Sequence, residues 1–261
     1  MTSAATPDQG AGLGALARGI GIIQCFSATR RELSARELME LTGLPKPTLF
    51  RLLDTLCDSG LLRYSQRSAR FVAGVGLLKA AAPVLARMAV RQFARPLMED
   101  LADHIQGQIQ LMVGHRQQLT YVDLIQGTGS KVFRPEIGTA GSIARTASGR
   151  AYLLGCEAQE REAFMGNLAA RDPAQHEWLT DRLADAERDL ADHGFCRGHG
   201  DLHREMVVLA VPMQQRHDDE AWIFSATVPV FSPESKRLDE DIGPRLITLV
   251  HTVEASFGNE V

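Results

Sequence analysis

No apolar run in this 261-residue chain is long enough to cross a bilayer, because Lys79 and Arg87 interrupt the best candidate. A basic stretch followed by an apolar one is also missing at the start, so no secretory leader is expected. Cysteine is sparse: Cys25, Cys57, Cys156 and Cys196 are scattered and form no C-x-x-C pair. Nothing else resembles a secreted disulfide scaffold, and a reduced cytoplasmic protein is the expectation. A general excess of positive charge is absent as well. The formal net charge is −4, which excludes a protein basic throughout but leaves room for a local basic surface. Catalytic signatures are missing too. There is no Walker sequence, Ser148 sits in no nucleophile elbow, and no carboxylate pair has a catalytic context. Gly12-x-Gly14-x-x-Ala17 superficially matches a dinucleotide fingerprint, but no strand precedes it and no βαβ unit surrounds it. An enzyme is therefore not expected, and no cofactor is expected either. Internal repeats are absent, and only residues 1–12, small and polar with glycine, read as a disordered tail.

What is present is an ordinary globular composition, 44% hydrophobic and 23% charged, with length enough for two modest domains. Charge is divided unevenly. Residues 1–73 hold nine basic and six acidic groups, a balance of +3 that leaves −7 for the remainder. Only the N-terminal stretch has the sign that meets phosphate.

From Leu13 the residues Leu16, Ile20, Ile23 and Phe26 recur at helical spacing, predicting a first helix to about Ser27. Ser34-Ala35-Arg36-Glu37 reads as a capping box opening a second helix, with Leu38 and Leu41 inward and Gly43 as its stop. Pro47 suits the first turn of a third helix, which runs through Cys57 and stops at Ser59-Gly60. Leu49, Leu52, Leu53 and Leu56 form one stripe on it. At 100° per residue Arg51 points almost directly away, flanked by Pro47, Thr48 and Thr55. Two short helices joined by a tight glycine turn, the second with a polar outer face, make a helix-turn-helix. Leu61–Tyr64 and Ala69–Val72 then read as a hairpin, or wing, with arginine at its tip.

Residues 74–90 are rich in alanine and leucine and read as one connecting helix. A further helix places Phe93, Leu97, Leu101 and Ile105 on one face. Strands are expected around Ile109–Val113, Leu119–Ile125, Glu205–Met213 and Trp222–Val230, helices near 148–155 and twice between 158 and 193. A last helix over 234–257 is compromised by Pro244. The expected class is α+β: an N-terminal winged helix-turn-helix (13–73), a linker helix (74–90) and a C-terminal domain (91–261) with an antiparallel sheet.

Certain runs resemble a known family. Leu16-Ala17-Arg18-Gly19-Ile20, Leu41-Thr42-Gly43-Leu44-Pro45-Lys46-Pro47-Thr48, Arg51-Leu52-Leu53 and Leu56 are similar to the N-terminal domain of IclR-family regulators. The likeness resumes at Arg145-Thr146-Ala147-Ser148-Gly149-Arg150-Ala151 and at Leu209-Ala210-Val211-Pro212. It implies a winged helix on double-stranded operator DNA, a linker helix that helps dimerise, and a GAF-like effector domain. It also implies homodimers that often pair into tetramers. Such proteins repress or activate catabolic or stress genes in response to small organic or aromatic acids. One departure stands out: Ser142-Ile143-Ala144 replaces the Pro-Leu-His or similar residues that often precede the Thr-Ala segment.

On this reading residues 46–58 enter the major groove. Arg51 makes a bidentate contact to guanine, Thr48 reaches a base edge or a phosphate, and Phe50 either touches a thymine methyl or is buried under the wing. Lys46 meets phosphate beside Pro47. Arg67 and Arg70 on the wing enter the minor groove or bind backbone. Ser34, first of all a helix cap, and Arg36 add phosphate contacts at the N-terminus of the second helix. The resemblance sets the effector between the sheet and Thr146–Gly149, where the N–H groups of Ala147 and Ser148 hold a carboxylate. Met206 and Val208 line its apolar part, and Ser225 and Thr227, two apart on one strand, offer hydroxyls. The alternative is a metal-binding or enzymatic sensor domain built on Cys196, His199 and His203, whose residue types suit zinc although the segment reads as a loop.

Overall fold

The capping box at Ser34 forms as its spacing predicts. In a computed structural model describing residues 14–115, 117–130, 132 and 135–257, the Ser34 side chain accepts from the Glu37 N–H while the Glu37 carboxylate takes the Ser34 N–H. The tail expected over residues 1–12 lies outside the described residues. The chain divides into two compact units, one through Arg87 and one from Met88.

The first unit runs α1 (Ala15–Gln24), β1 (Glu32–Leu33), α2 (Ala35–Thr42), α3 (Lys46–Asp58), β2 (Leu62–Ser65), β3 (Arg70–Ala73) and α4 (Gly76–Arg87). Its three strands pair antiparallel in the order β1-β3-β2. Ile22, Leu33, Leu38, Leu49, Leu53, Leu56, Leu62 and Phe71 make its core. The hairpin sits one residue later than the sequence predicts, because Ala69, with φ of 53°, belongs to the turn. The strand β1 was not expected; two residues carry no readable alternation, and pairing to β3 alone makes them a strand.

The stripe expected on the first helix is corrected. Gly19 and Ile22 are the buried residues of α1, whereas Leu16 is 78% exposed and Ile20 is also exposed. Apolar residues surround most of this helix, so periodicity alone does not choose the face; the docking of α1 against α3 does. The helix α4 buries nothing, and Val75, Leu78 and Val84 are all exposed. The single helix expected over 74–90 is interrupted, since Met88 leaves helical geometry with ψ of 82°.

The second unit opens with α5 (Ala89–His104). It continues through β4 (Gln108–His115), β5 (Gln118–Gln126), β6 (Ala140–Gly141), α6 (Ala147–Gly155), α7 (Ala158–Arg171) and α8 (Pro173–His193). After these come β7 (Cys196–His199), β8 (Met206–Pro212), β9 (Ala221–Pro229), two short irregular turns and α9 (Gly243–Phe257). Six strands pair in the order β6-β5-β4-β9-β8-β7, every neighbour antiparallel. The helices α5 and α9 cover one face. The other face, carrying Met112, Ala210 and Ile223, packs under Ala147, Ala151 and Tyr152 of α6. Because both faces are covered, Gln108–Gly114 and Trp222–Val228 are buried throughout rather than alternating.

Three further expectations are revised here. The inward residues of α5 are Val90, Ala94, Met98, Leu101 and Ala102, with Ile105 just beyond; Phe93 is exposed and Leu97 half-buried. Small Ala94 and Ala102 let the helix lie close to the sheet, which a search for large apolar residues passes over. The helix expected from residue 234 becomes α-helical only at Gly243, after a 3-10 turn and a π turn, so Pro244 falls in the first turn of α9, where its missing N–H costs little. Cys196–His199 is a sheet strand rather than a loop, despite Gly198. No described helix is long and apolar enough to cross a membrane.

Candidate functional site

The local chemistry of the first unit displays one helix face. Gly43 adopts φ of 65° and returns its N–H to the Met39 carbonyl at 2.8 Å, stopping α2. Leu44 and Pro45 then lead straight into α3, with Pro47 in its first turn. Leu49, Leu52, Leu53 and Leu56 are buried beneath, while Lys46, Pro47, Phe50, Arg51, Asp54 and Thr55 are exposed and Thr48 is half-buried. The Arg51 guanidinium has no hydrogen bond or ion pair among the described residues, and its carbonyl accepts the Thr55 hydroxyl at 3.0 Å. Phe50 is not under the wing. It is exposed, and the Lys46 ammonium stands 5.9 Å from its ring centroid.

The other basic candidates differ in freedom. Arg67 is exposed at the wing turn without a partner among the described residues. Arg36 pairs with Glu40 at 2.9 Å, both highly exposed. Arg70 is committed elsewhere: Nη1 donates to Glu37 Oε2 at 2.9 Å and to the Glu32 carbonyl at 3.2 Å. The hydroxyl of Ser34 also donates to Glu37 Oε2, at 2.7 Å. One carboxylate thus caps α2 and straps the wing to it. The Ser34 hydroxyl and N–H, with Arg70 beyond them, hold the Glu37 carboxyl below the usual carboxylate range. The sequence marked Glu37 as a cap but carried no sign of its second role, which joins residues 33 positions apart.

In the second unit the eight effector candidates lie around α6. The Thr146 hydroxyl accepts from the Gly149 N–H at 3.0 Å and donates to the Ser142 carbonyl at 2.7 Å, capping the helix. Ala147, Ser148 and Gly149 are buried. Register puts Met206, Val208, Ser225 and Thr227 on the sheet face that α6 covers, since Val208 pairs with Thr227 and Ala210 with Ser225. The two hydroxyls are not idle. Ser225 donates to Gln110 Oε1 at 3.1 Å, and Gln110 Nε2 donates to Thr227 Oγ1 at 3.3 Å and to Gln108 Oε1 at 2.5 Å. All four side chains are buried, forming a neutral polar floor. Both glutamines were missed, because a polar residue alternating along a strand reads as solvent-facing.

The metal alternative is corrected by strand geometry. Cys196 and His199 are three apart on β7, so their side chains leave opposite faces. Cys196 is fully buried with its thiol on the Ala186 carbonyl, and burial pushes that thiol up to about 12. His199 and His203 are exposed. No group of three or more His, Cys, Asp or Glu suited to a metal occurs among the described residues.

Most residues of these two sites fall within two family patterns. The IclR helix-turn-helix domain matches residues 15–66, and the bacterial transcriptional regulator IclR C-terminal domain matches residues 82–223. The chain belongs to the IclR family. As an IclR-family member it is a helix-turn-helix transcription regulator with an effector-binding C-terminal domain. It is 29% identical to the HTH-type transcriptional regulator TsaQ1/TsaQ2 of Comamonas testosteroni, covering 98% of this chain and 94% of that one. An IclR-family transcriptional regulator from Brucella abortus has the same fold, with a TM-score of 0.81 at 32% identity over 94% of this chain and 93% of that one. The fold is shared as well by an IclR homolog from Microbacterium hydrocarbonoxydans, crystallised in complex with 4-hydroxybenzoate. Its TM-score is 0.68 at 20% identity, over 92% of this chain and the whole of that one.

Proposed function

We propose that this IclR-family regulator reads a two-fold operator with α3 in the major groove and releases or grips it when a small organic or aromatic acid occupies the α6-covered face of the sheet. One observation carries the DNA half: a guanidinium at Arg51, unpaired among the described residues, opposite a buried leucine stripe. Arg51 reads guanine, Thr48 a base edge or phosphate, and Phe50 a thymine methyl. Lys46, beside Pro47, meets phosphate at the groove edge. Arg67 contacts the minor groove or backbone from the wing tip. Ser34 and Arg36 present the N-terminus of α2 to phosphate. Arg70 acts through Glu37, fixing the wing rather than reaching DNA itself. Residues 13–73 form the DNA-binding domain, 74–90 the linker and 91–261 the effector domain of a bacterial cytoplasmic protein that regulates rather than catalyses.

In the effector half, Thr146, Ala147, Ser148 and Gly149 border the acid, Met206 and Val208 its apolar body, and Ser225 and Thr227 its polar end. The 4-hydroxybenzoate held by the Microbacterium relative supports this ligand class. Fluorescence anisotropy on DNA from upstream of its own gene tests the whole reading. Binding is expected at moderate salt, with a steep loss as salt rises, and aromatic acids are expected to shift the affinity. No binding there would overturn the DNA half.

A second copy completes the unit. Leu78 is 70% exposed on α4, which buries nothing of its own, and Leu16 and Ile20 lie bare on α1. Helix-turn-helix proteins read half-sites as dimers, so these apolar faces are taken as the homodimer contact, with pairing of dimers as a further step. Leu78→Asp is expected to convert the dimer to monomer in light scattering while each unit keeps its circular dichroism. A dimer of unchanged mass would remove α4 from the interface.

A further inference from the structure

Arg150 is a buried cation with one arm unused. It lies in α6 at 2% side-chain exposure. Its Nη2 donates to Asp201 Oδ2 at 2.6 Å and to the Arg197 carbonyl at 2.7 Å. Its Nη1 is buried and has no partner among the described residues. A guanidinium offers its donors as a planar fork suited to carboxylates, and native structures meet nearly all buried donors with a protein group, an ordered water or a bound ligand.

The surroundings say what that something is. Gly198 of β7 stands beside the pair. A Cβ at Gly198 would come 3.1 Å from Asp201 Oδ2, 3.1 Å from Ala147 Cβ and 3.4 Å from the Ala147 nitrogen. The carboxylate that Arg150 holds and the first residue of α6 therefore both pack directly against Gly198, closer than a side chain at that position would comfortably allow. From Gly198 a single cross-strand row runs through Val208 and Thr227 to Gln108. That row passes from the Arg150–Asp201 ion pair with its spare N–H donor, over an apolar residue, to the neutral hydroxyl and amide floor. Thr227 lies about two strand spacings, ~9.6 Å, from Gly198. This is the polarity of an acid with an apolar middle.

We propose that Arg150 Nη1 binds the carboxylate of the effector, making this side chain the group that selects acids over their neutral analogues. The proposal rests on the α6-covered face being the effector site. Asp201 sets the strength of that selection. It already balances the guanidinium charge, so a ligand carboxylate binds beside an anion and is held less tightly than by a free cation.

The probes are benzoate and its neutral analogue benzamide, each titrated calorimetrically into the full chain at millimolar concentration and constant ionic strength. The wild type is expected to prefer benzoate. Arg150→Lys keeps the charge but loses the fork, and is expected to weaken benzoate about tenfold to a hundredfold while leaving benzamide within about twofold. Asp201→Asn is expected to tighten benzoate. Circular dichroism and operator binding confirm that each variant is folded. Equal binding of benzoate and benzamide by the wild type overturns the proposal, as does benzoate affinity unchanged in Arg150→Lys or reduced in Asp201→Asn. Arg150-dependent benzoate binding that never alters operator affinity would instead sink the effector reading while leaving the anion site standing.

Discussion

Asp123→Ala is expected to destabilise the second unit by about 3 kcal/mol in urea unfolding, the low end of the cost of breaking a buried ion pair. The carboxylate is 1% exposed on β5, held by Arg95 Nη1 at 2.9 Å and Arg91 Nε at 3.2 Å, and its Oδ1 accepts the Leu124 N–H at 2.9 Å. It sits at the bulge where the β4–β5 register shifts. Removing it takes one partner from each of two guanidinium groups and the side-chain acceptor from the Leu124 N–H. Arg95 is nearly half exposed and Arg91 retains the Val122 carbonyl, which is why the cost stays at the low end. The other partner of Arg95, Glu99, is exposed. Glu99→Ala is therefore expected to cost less than about 1 kcal/mol. Equal losses for the two variants would mean that burial of Asp123 is not what makes the pair matter.

Gly149→Ala is the second large effect, and its origin is steric. A Cβ there would lie 2.1 Å from the Ile143 carbonyl oxygen and 2.4 Å from the Ile143 Cα. Both are backbone atoms, so no side chain can swing aside. The loop must move off α6, at a cost of about 3 kcal/mol or more. Gly166 on α7 supplies the contrast, since nothing lies within 4 Å of its Cβ position. Gly166→Ala is expected to be stabilising by about 0.5–1 kcal/mol through helix propensity. Thermal melts of the pair check the contrast. A Gly149→Ala melt equal to wild type would mean that the approach of Ile143 is not fixed.

The features legible in the sequence are those whose causes are local. The capping box spans four residues, the stop at Gly43 follows from one left-handed backbone position, and the stripe on α3 recurs within thirteen residues. Each needs only neighbours in the chain. The family motifs likewise led to α6 and β8. What was not legible is set by partners far away. Asp123 is bound from 28 and 32 residues upstream, by Arg95 and Arg91. Gln110 joins Ser225 and Thr227 across the strand pair β4–β9, and Arg70 reaches back to Glu37 across the wing. Charge and amide groups of this kind read as solvent-facing until the sheet register folds them inward. The exposed face of α1 misled for the opposite reason: apolar residues lie around most of that helix, so periodicity marks it as amphipathic without choosing the face that docks.

The most direct test of DNA reading is the operator affinity of wild type and Arg51→Ala, measured by anisotropy across a salt series and a set of single-base operator variants. A loss of about 1–3 kcal/mol, discrimination relaxed at one base position and a salt slope close to wild type are the expected results for a base-reading arginine. Wild-type affinity with every base preference intact would contradict the account.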